Sequence, residues 1–158
     1  MSNIIKLSDS DTDKIRLVEK SLIGLRECYP GFQKWFNEKI IPNIRKNRDV
    51  FLSYNSDGFT GAMILKNTNF EKKVCTLFVK DKYRYNKLGS DLLRIASEEL
   101  ETYKLPITVS SEAIESFINS DNFNFYTEDI KDDFYKKGMK EYFGYIMFHN
   151  PDISLKKI

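Results

Sequence analysis

Histidine and cysteine are the scarcest reactive side chains in this chain of 158 residues. His149 is the only histidine, and Cys28 and Cys75 are the only cysteines. Structural zinc centres take four His or Cys ligands, so no metal site is expected. Two cysteines give no disulfide framework, and a reduced, cytoplasmic protein is the simplest interpretation. Cys75 lies in an apolar run and is interpreted as a small buried side chain rather than as a nucleophile.

Long apolar runs and a strong charge of one sign are also absent. No stretch reaches the roughly 20 apolar residues that a membrane-spanning helix needs, and no signal-peptide pattern opens the chain. The net charge of +2 is too small to argue by itself for a nucleic-acid partner. Hydrophobic residues make up 41% and charged residues 30%, which is an ordinary balance for one globular domain over residues 1–158.

Residues 74–100 combine an apolar strand pattern, a polar loop and an amphipathic helix pattern. The apolar run 74–79 predicts a strand that is buried on both faces. Over 88–100, apolar residues recur at helical spacing and predict a helix with one apolar face. The loop between them ends in Gly89-Ser90. The first N–H groups of such a helix have no partner within it, and they are well suited to bind a phosphate.

This stretch resembles motif A of the GNAT superfamily of N-acetyltransferases, which reads Arg/Gln-x-x-Gly-x-Gly/Ala at the mouth of a helix. Arg84 stands at the first position of the motif and Gly89 at the last, whereas Lys87 stands in place of the first glycine. The resemblance extends over residues 3–148 and is weak outside this segment. It implies an α/β (α+β) fold with a mixed, twisted sheet of six to seven strands, helices on both faces and a splayed pair of parallel strands.

The resemblance also implies that acetyl-CoA is the acyl donor and that a primary amine is the acceptor. In the family, the strand before the loop binds the pantetheine arm through its backbone, and N–H groups of the loop bind the pyrophosphate. The corresponding positions of this chain are Leu77, Phe78, Val79, Arg84, Tyr85, Asn86, Lys87, Leu88, Gly89 and Ser90. In structural terms, Lys87 is tolerable in this loop if its φ stays negative. In functional terms, its ammonium would add attraction for a phosphate. The alternative is a loop that has lost the cofactor.

Acetyl transfer from a thioester to an amine also needs groups that remove and supply protons. Members of the family often use a tyrosine of the helix after the splayed strands as the acid, but segment 112–119 contains no tyrosine. Tyr126 and Tyr135 are the nearest substitutes for it. Glu112, at the end of a strand, and Glu141, entering the last strand, are candidate bases that act through a water. Each of these four side chains has a structural or surface role as its alternative.

The rest of the chain shows patterns of short strands and helices. Strands are expected at about 3–7, 49–54, 61–66, 107–110, 123–129 and 140–148. A first helix is expected to follow residues 8–11 and end near residue 27. Further helices are expected from 32 to about 42 or 45 and over 112–119. Side chains of 8–11 and of 110–111 are expected to cap helices. Residues 149–158 are expected to form a peripheral tail. A cluster of aromatic residues either packs the second helix onto the sheet or contacts the acceptor: Tyr29, Phe32, Trp35 and Phe36.

We therefore interpret the sequence as that of a GNAT-like N-acetyltransferase that is a monomer or a homodimer. A protein amine, an aminoacyl-tRNA and a small amine all stay open as acceptors, and no membrane partner is expected. The alternative function is a non-catalytic module of the same fold that binds CoA, or that binds a partner through its aromatic surface.

Overall fold

The computed structural model describes residues 2–23, 30–84 and 87–149. Its strands are β1 (Asn3–Lys6), β2 (Arg48–Asn55), β3 (Gly58–Asn67), β4 (Lys72–Val79), β5 (Leu105–Ser110), β6 (Phe123–Asp132) and β7 (Lys140–Phe148). Its α-helices are α1 (Thr12–Leu22), α2 (Phe32–Trp35), α3 (Leu88–Leu100) and α4 (Ile114–Ile118), and α2 continues as a π-helical turn (Phe36–Ile40) and a 3-10 turn (Ile41–Asn43). Within the described ranges, no helix is long and apolar enough to cross a membrane.

The seven strands form one mixed sheet in the order β1-β2-β3-β4-β5-β7-β6. Strands β1 to β4 are antiparallel neighbours, and the turn after Asn55 joins β2 and β3 as predicted. Strand β4 is parallel to β5, and α3 provides the crossover between them. Strand β7 then pairs antiparallel with both β5 and β6. The predicted mixed sheet is therefore confirmed.

Two hydrophobic clusters lie on opposite faces of the sheet. Alternation along β3 shows the division, because Met63 and Leu65 belong to one cluster while Ala62 and Ile64 belong to the other. The first cluster contains the apolar face of α3, and the second contains the buried residues of α1 and of the segment 32–44. Helices on both faces are thus confirmed.

The aromatic cluster near α2 has a packing role. Phe32 and Phe36 are buried in the second hydrophobic cluster, and the partly buried Trp35 packs against it. The structure therefore favours packing of this segment onto the sheet over contact with an acceptor. Tyr29 lies outside the described residues, as does the expected end of the first helix at about residue 27.

Asp11, within the predicted range 8–11, is the N-cap residue of α1, but the predicted capping by side chains is wrong for both helices. Asp11 precedes α1, but its carboxylate accepts hydrogen bonds from the Ser8 N–H at 2.8 Å and the Ser8 hydroxyl at 3.0 Å instead of capping the helix. Helix α4 begins after Ala113, without a side-chain cap, and not after residues 110–111. The reason is that the Ser111 N–H still donates to the Lys140 carbonyl at 2.9 Å, which continues the sheet past the end of β5.

The backbone of β6 approaches β7 closely at Gly144. A register shift between Thr127 and Asp129 bends β6 at this point. A Cβ atom at Gly144 would lie 2.0 Å from the Tyr126 carbonyl oxygen, which real structures do not allow. The bend of β6 therefore requires glycine on the opposing strand.

We expect Gly144→Ala to lower the free energy of unfolding by about 1–3 kcal/mol or more, because the added methyl group forces two backbones apart. Gly89→Ala is the matched control. Its Cβ would meet only Val79 Cγ2, at 3.9 Å, and alanine favours a helix over glycine by about 0.5–1 kcal/mol. Urea unfolding measures both variants, and equal stabilities for the two would contradict the close approach at Gly144.

Candidate functional site

Strands β4 and β5 part soon after they meet. Their ladder has Val74↔Ile107 as its one register pair in the described chain. Strand β3, in contrast, stays paired with β4 as far as Gly61↔Val79. The carboxyl half of β4 therefore remains in the sheet on one side and leaves β5 on the other. This confirms the predicted splayed parallel pair.

A bulge in β4 marks the point where the strands part. Ile64 pairs with Thr76 and Leu65 pairs with Val74, so that Cys75 is an extra residue between them. A bulge bends its strand and increases the local twist. Val74 alone in the run 74–79 is fully buried, so the prediction of a strand buried on both faces is wrong beyond this residue. The carboxyl end of β4 is more exposed because β5 no longer pairs with it.

The thiol of Cys75 is half-buried and is held by an arginine. The Arg48 Nη1 atom donates to Cys75 Sγ at 3.1 Å. Burial raises the pKa of the Cys75 thiol, and this effect exceeds the opposite influence of Arg48. A thiol with a raised pKa is a poor nucleophile at neutral pH. The predicted structural role is therefore supported, although the side chain is less buried than expected.

Arg84 connects the loop after β4 back to the end of that strand. Its Nε donates to the Val79 carbonyl at 2.9 Å, and its guanidinium lies 2.9 Å from the Asp81 carboxylate. These two contacts tie the end of the strand to the 3-10 turn Asp81–Tyr83. The arginine of the motif thus shapes the loop in this structure. The predicted contacts Tyr85 and Asn86 lie outside the described residues.

Lys87 adopts a left-handed conformation, with φ at +63°. The expectation that its φ stays negative is therefore wrong. The reason is local: Lys87 is the N-cap residue of α3, and its carbonyl accepts the Asp91 N–H at 2.8 Å. A residue other than glycine pays roughly 1–2 kcal/mol for this conformation. The chain thus departs from the motif in residue type and still forms a turn that suits glycine.

The first turn of α3 offers backbone donors beside the end of β4. No described side chain caps this helix of 13 residues, and the N–H groups of Leu88, Gly89 and Ser90 precede its first internal bond. Leu88 is buried in the core and anchors the turn. A Cβ at Gly89 would meet only Val79 Cγ2, at 3.9 Å, so packing within the protein does not require glycine there. The missing side chain leaves room for an anionic group against the donors.

Glu141 lies at the end of β5, on the sheet face opposite to α3. It pairs in register with Ser110 of β5, whereas the neighbouring Val109 belongs to the cluster under α3. Its side chain is fully buried, and neither carboxylate oxygen has a hydrogen-bond partner among the described residues. Burial, and secondarily the charge of Glu112, raises the pKa of Glu141 to about 7. Perturbed carboxylates of this kind are common at functional sites.

Tyr135 lies in the hairpin between β6 and β7. Its ring packs edge-on against Phe134, with 4.7 Å between centroids, and Phe134 packs against Phe143 at 5.2 Å. Burial raises the pKa of the Tyr135 phenol, and the negative charge of Glu141 raises it further. Through Phe134, Tyr135 belongs to an aromatic group that packs on Phe143, two residues from Glu141 along β7.

Tyr126 and Glu112 have different positions. Tyr126 stacks on Tyr145 with 5.2 Å between ring centroids, and it lies on the edge strand β6, which β7 separates from β5. The structure does not bring it to the opening. Glu112 is exposed in the turn after β5 and influences Glu141 through its charge.

Sequence reasoning missed Phe134, Phe143 and Lys131, which surround these groups. The ammonium of Lys131 lies 4.7 Å from the ring centroids of both phenylalanines. The period of two along β7 places Phe143 on the same face as Glu141 and was the available signal. The position of Lys131 had no such signal, because the bulge in β6 decides which face its side chain takes.

Comparison with known proteins supports the same fold. No family model and no curated protein matches this sequence. An acetyltransferase of the GNAT family from Bacillus cereus is 19% identical, with a TM-score of 0.67 over 93% of this chain and 97% of that chain. The ribosomal-protein-S18-alanine N-acetyltransferase from Escherichia coli is 17% identical, with a TM-score of 0.63 over 96% of both chains.

A plant enzyme shows the same likeness. Arabidopsis thaliana NAA60, in complex with a bisubstrate analogue, is 12% identical, with a TM-score of 0.65 over 96% of this chain and 100% of that chain. The chain therefore has the fold of the GNAT acetyltransferases, as the loop motif predicted.

The buried carboxylate of Glu141 makes stability depend on pH. Its pKa is raised from 4.5 to about 7, so the folded protein holds a proton that the unfolded chain releases between these values. The contribution of Glu141 is therefore most favourable below about pH 4.5 and is lost as pH rises to 7. We expect the wild-type free energy of unfolding to fall, relative to Glu141→Gln, by on the order of 2 kcal/mol between pH 5 and 8.

Urea unfolding at several pH values measures this difference. Glu98→Gln is the matched control, since Glu98 is an exposed carboxylate on α3, and it should keep the wild-type pH dependence. Parallel pH curves for the wild type and Glu141→Gln would show that Glu141 titrates normally.

Proposed function

We propose that this protein is an N-acetyltransferase that moves an acetyl group from acetyl-CoA to a primary amine by direct attack. The observation that carries this proposal is the opening between β4 and β5, which lies directly beside the uncapped first turn of α3. The shared fold of known acetyltransferases gives independent support. The proposed setting is the cytoplasm, and the acceptor is a protein amine, an aminoacyl-tRNA or a small amine.

The residues at the opening fit CoA. The backbone of Leu77–Val79 has no sheet pairing with β5 and would hold the extended pantetheine arm. The N–H groups of Leu88–Ser90 would hold the pyrophosphate, in the space that Gly89 leaves open. Lys87 is exposed and would add a positive charge. Acetyl-CoA, as the donor substrate, supplies an acetyl group already activated as a thioester.

Glu141 is the proposed base, acting through a water. At a pKa of about 7 the carboxylate is partly ionised at neutral pH and is basic enough to accept a proton from the attacking amine. Its buried position also lowers the local dielectric, which strengthens its attraction for a cationic amine. Glu112 would add a second negative charge near the acceptor.

Tyr135 is the proposed acid that supplies a proton to the leaving thiolate. Because its pKa is raised, the phenol stays protonated over the neutral range. Tyr135 is favoured over Tyr126, since it packs through Phe134 onto Phe143, two residues from Glu141 along β7, whereas Tyr126 stacks on Tyr145 at the sheet edge.

The cofactor loop is tested by calorimetric titration of CoA into Gly89→Val. The valine side chain would fill the space over the first turn, and loss of two charge-assisted N–H bonds at about 1.5–3 kcal/mol each should weaken binding roughly a hundredfold or more. The fold itself should tolerate the change, since the nearest neighbour of a Cβ there is 3.9 Å away.

Lys87→Gly is the contrasting variant. It removes an exposed charge worth under about 1 kcal/mol and also relieves the left-handed strain, so affinity should change less than about fivefold and stability should not fall. Unchanged CoA affinity in Gly89→Val would mean that this loop does not hold the cofactor.

Proton donation is tested with Tyr135→Phe in a screen of amines that monitors release of the CoA thiol. We expect turnover to fall by about 10²-fold or more while the affinity for CoA stays the same, because only the proton donor is lost. Tyr126→Phe is the matched control and should keep the wild-type rate. Full activity in Tyr135→Phe would assign the acid elsewhere, and CoA binding without turnover on any amine would favour the non-catalytic module.

A further inference from the structure

Lys131 and Glu141 face each other across β6 and β7. They are register partners, so their side chains leave the same face of the sheet, with Cβ atoms about 4.5–5.5 Å apart. A lysine side chain can easily span this distance. An ion pair between them would be the ordinary outcome for opposite charges at such positions.

The structure shows a different arrangement. The Lys131 ammonium lies over the rings of Phe134 and Phe143, 4.7 Å from each centroid. The carboxylate of Glu141, the register partner of Lys131, makes no hydrogen bond within the described chain. Phe134 and Phe143 thus form a binding position for the lysine ammonium, the aromatic seat, because aromatic rings attract a cation through their faces.

We propose that Phe134 and Phe143 act as positioning residues that hold Lys131 away from Glu141 and so keep its carboxylate free to accept a proton. This inference rests on the proposed function, in which Glu141 is the base. An ammonium on the carboxylate would favour its ionised form and make it a weaker base. It would also occupy the oxygen atoms that must face the water or the amine.

The other polar groups around Glu141 would not replace this effect. Glu112, in the turn after β5, disfavours additional negative charge there, and Tyr135, in the hairpin, is a neutral phenol. Ser110 of β5 is neutral. Lys131 is the cation that the register pairs directly with Glu141, and its position therefore affects how basic the carboxylate is.

The test is a titration of Glu141 followed by NMR on protein with ¹³C-labelled glutamate side chains, which needs no turnover. Phe134 is 50% exposed in the wild type, so leucine should be accommodated there, and in Phe134→Leu the lysine is released towards the carboxylate. The midpoint for Glu141 should fall by about one unit or more, as for a carboxylate beside a new cation. Phe143→Leu should act in the same direction.

Two further variants isolate the lysine. Lys131→Met alone should leave the wild-type midpoint almost unchanged, and the double variant Phe134→Leu/Lys131→Met should return to the wild-type value. A fall in Phe134→Leu that persists without Lys131, no fall in either phenylalanine variant, or a rise in Lys131→Met alone would each overturn the proposal.

The acid limb of the pH profile for kcat/KM provides the functional readout. It should follow the NMR midpoints through the same variants if Glu141 is the base. If the NMR midpoints shift as expected but the protein acetylates no amine, the positioning role of Phe134 and Phe143 stands and the proposed function is rejected. If the enzyme is active but the midpoints do not shift, only the positioning role is rejected.

Discussion

The brief contact between β4 and β5 is the constraint on which the rest of the structure depends. A parallel pair that stayed together would bury its backbone in a continuous ladder and leave no opening. The extra residue at Cys75 bends β4 after a single register pair, while β3 holds the same strand along its other edge. One edge of the strand is therefore fixed by the sheet and the other is open. The first turn of α3 begins beside this open edge.

The sheet face beside the opening has an unusual electrostatic character. Glu141 is buried without a hydrogen-bond partner in the described chain, an arrangement that destabilises the folded state at neutral pH and calls for a functional explanation. The Lys131 ammonium lies against Phe134 and Phe143, and Tyr135 packs against the same aromatic group. These side chains lie on the sheet face opposite to α3, whereas the loop before α3 offers backbone N–H groups.

The sequence allowed the central unit to be predicted because its signals are local. The helical period after residue 88 depends on apolar spacing alone, and the run 74–79 is strongly strand-like. Its burial was mispredicted, since burial depends on whether β5 follows the strand, and this is a property of the fold. The φ of Lys87 was mispredicted for a similar reason: the geometry of the turn overrode the preference of the residue.

The choice between Tyr126 and Tyr135 shows where a single sequence stops being informative. Both tyrosines follow the same helix, and only the fold places Tyr126 on the edge strand β6 and Tyr135 in the hairpin whose aromatic group packs on β7. The bulge in β6 shifts the register by one residue, which exchanges the faces of all later side chains in that strand. Lys131 faces Glu141 for this reason, and no periodicity in the sequence predicts the bulge.

Addition of acetyl-CoA to ¹⁵N-labelled protein, followed by amide NMR, tests the central claim most directly. If the open edge of β4 and the first turn of α3 hold the donor, the largest shifts will occur at the amides of Leu77–Val79 and Leu88–Ser90. The amides of β1, at the far edge of the sheet, will remain unchanged. Shifts that are absent from these two segments, or that concentrate on a different part of the sheet, would contradict the account.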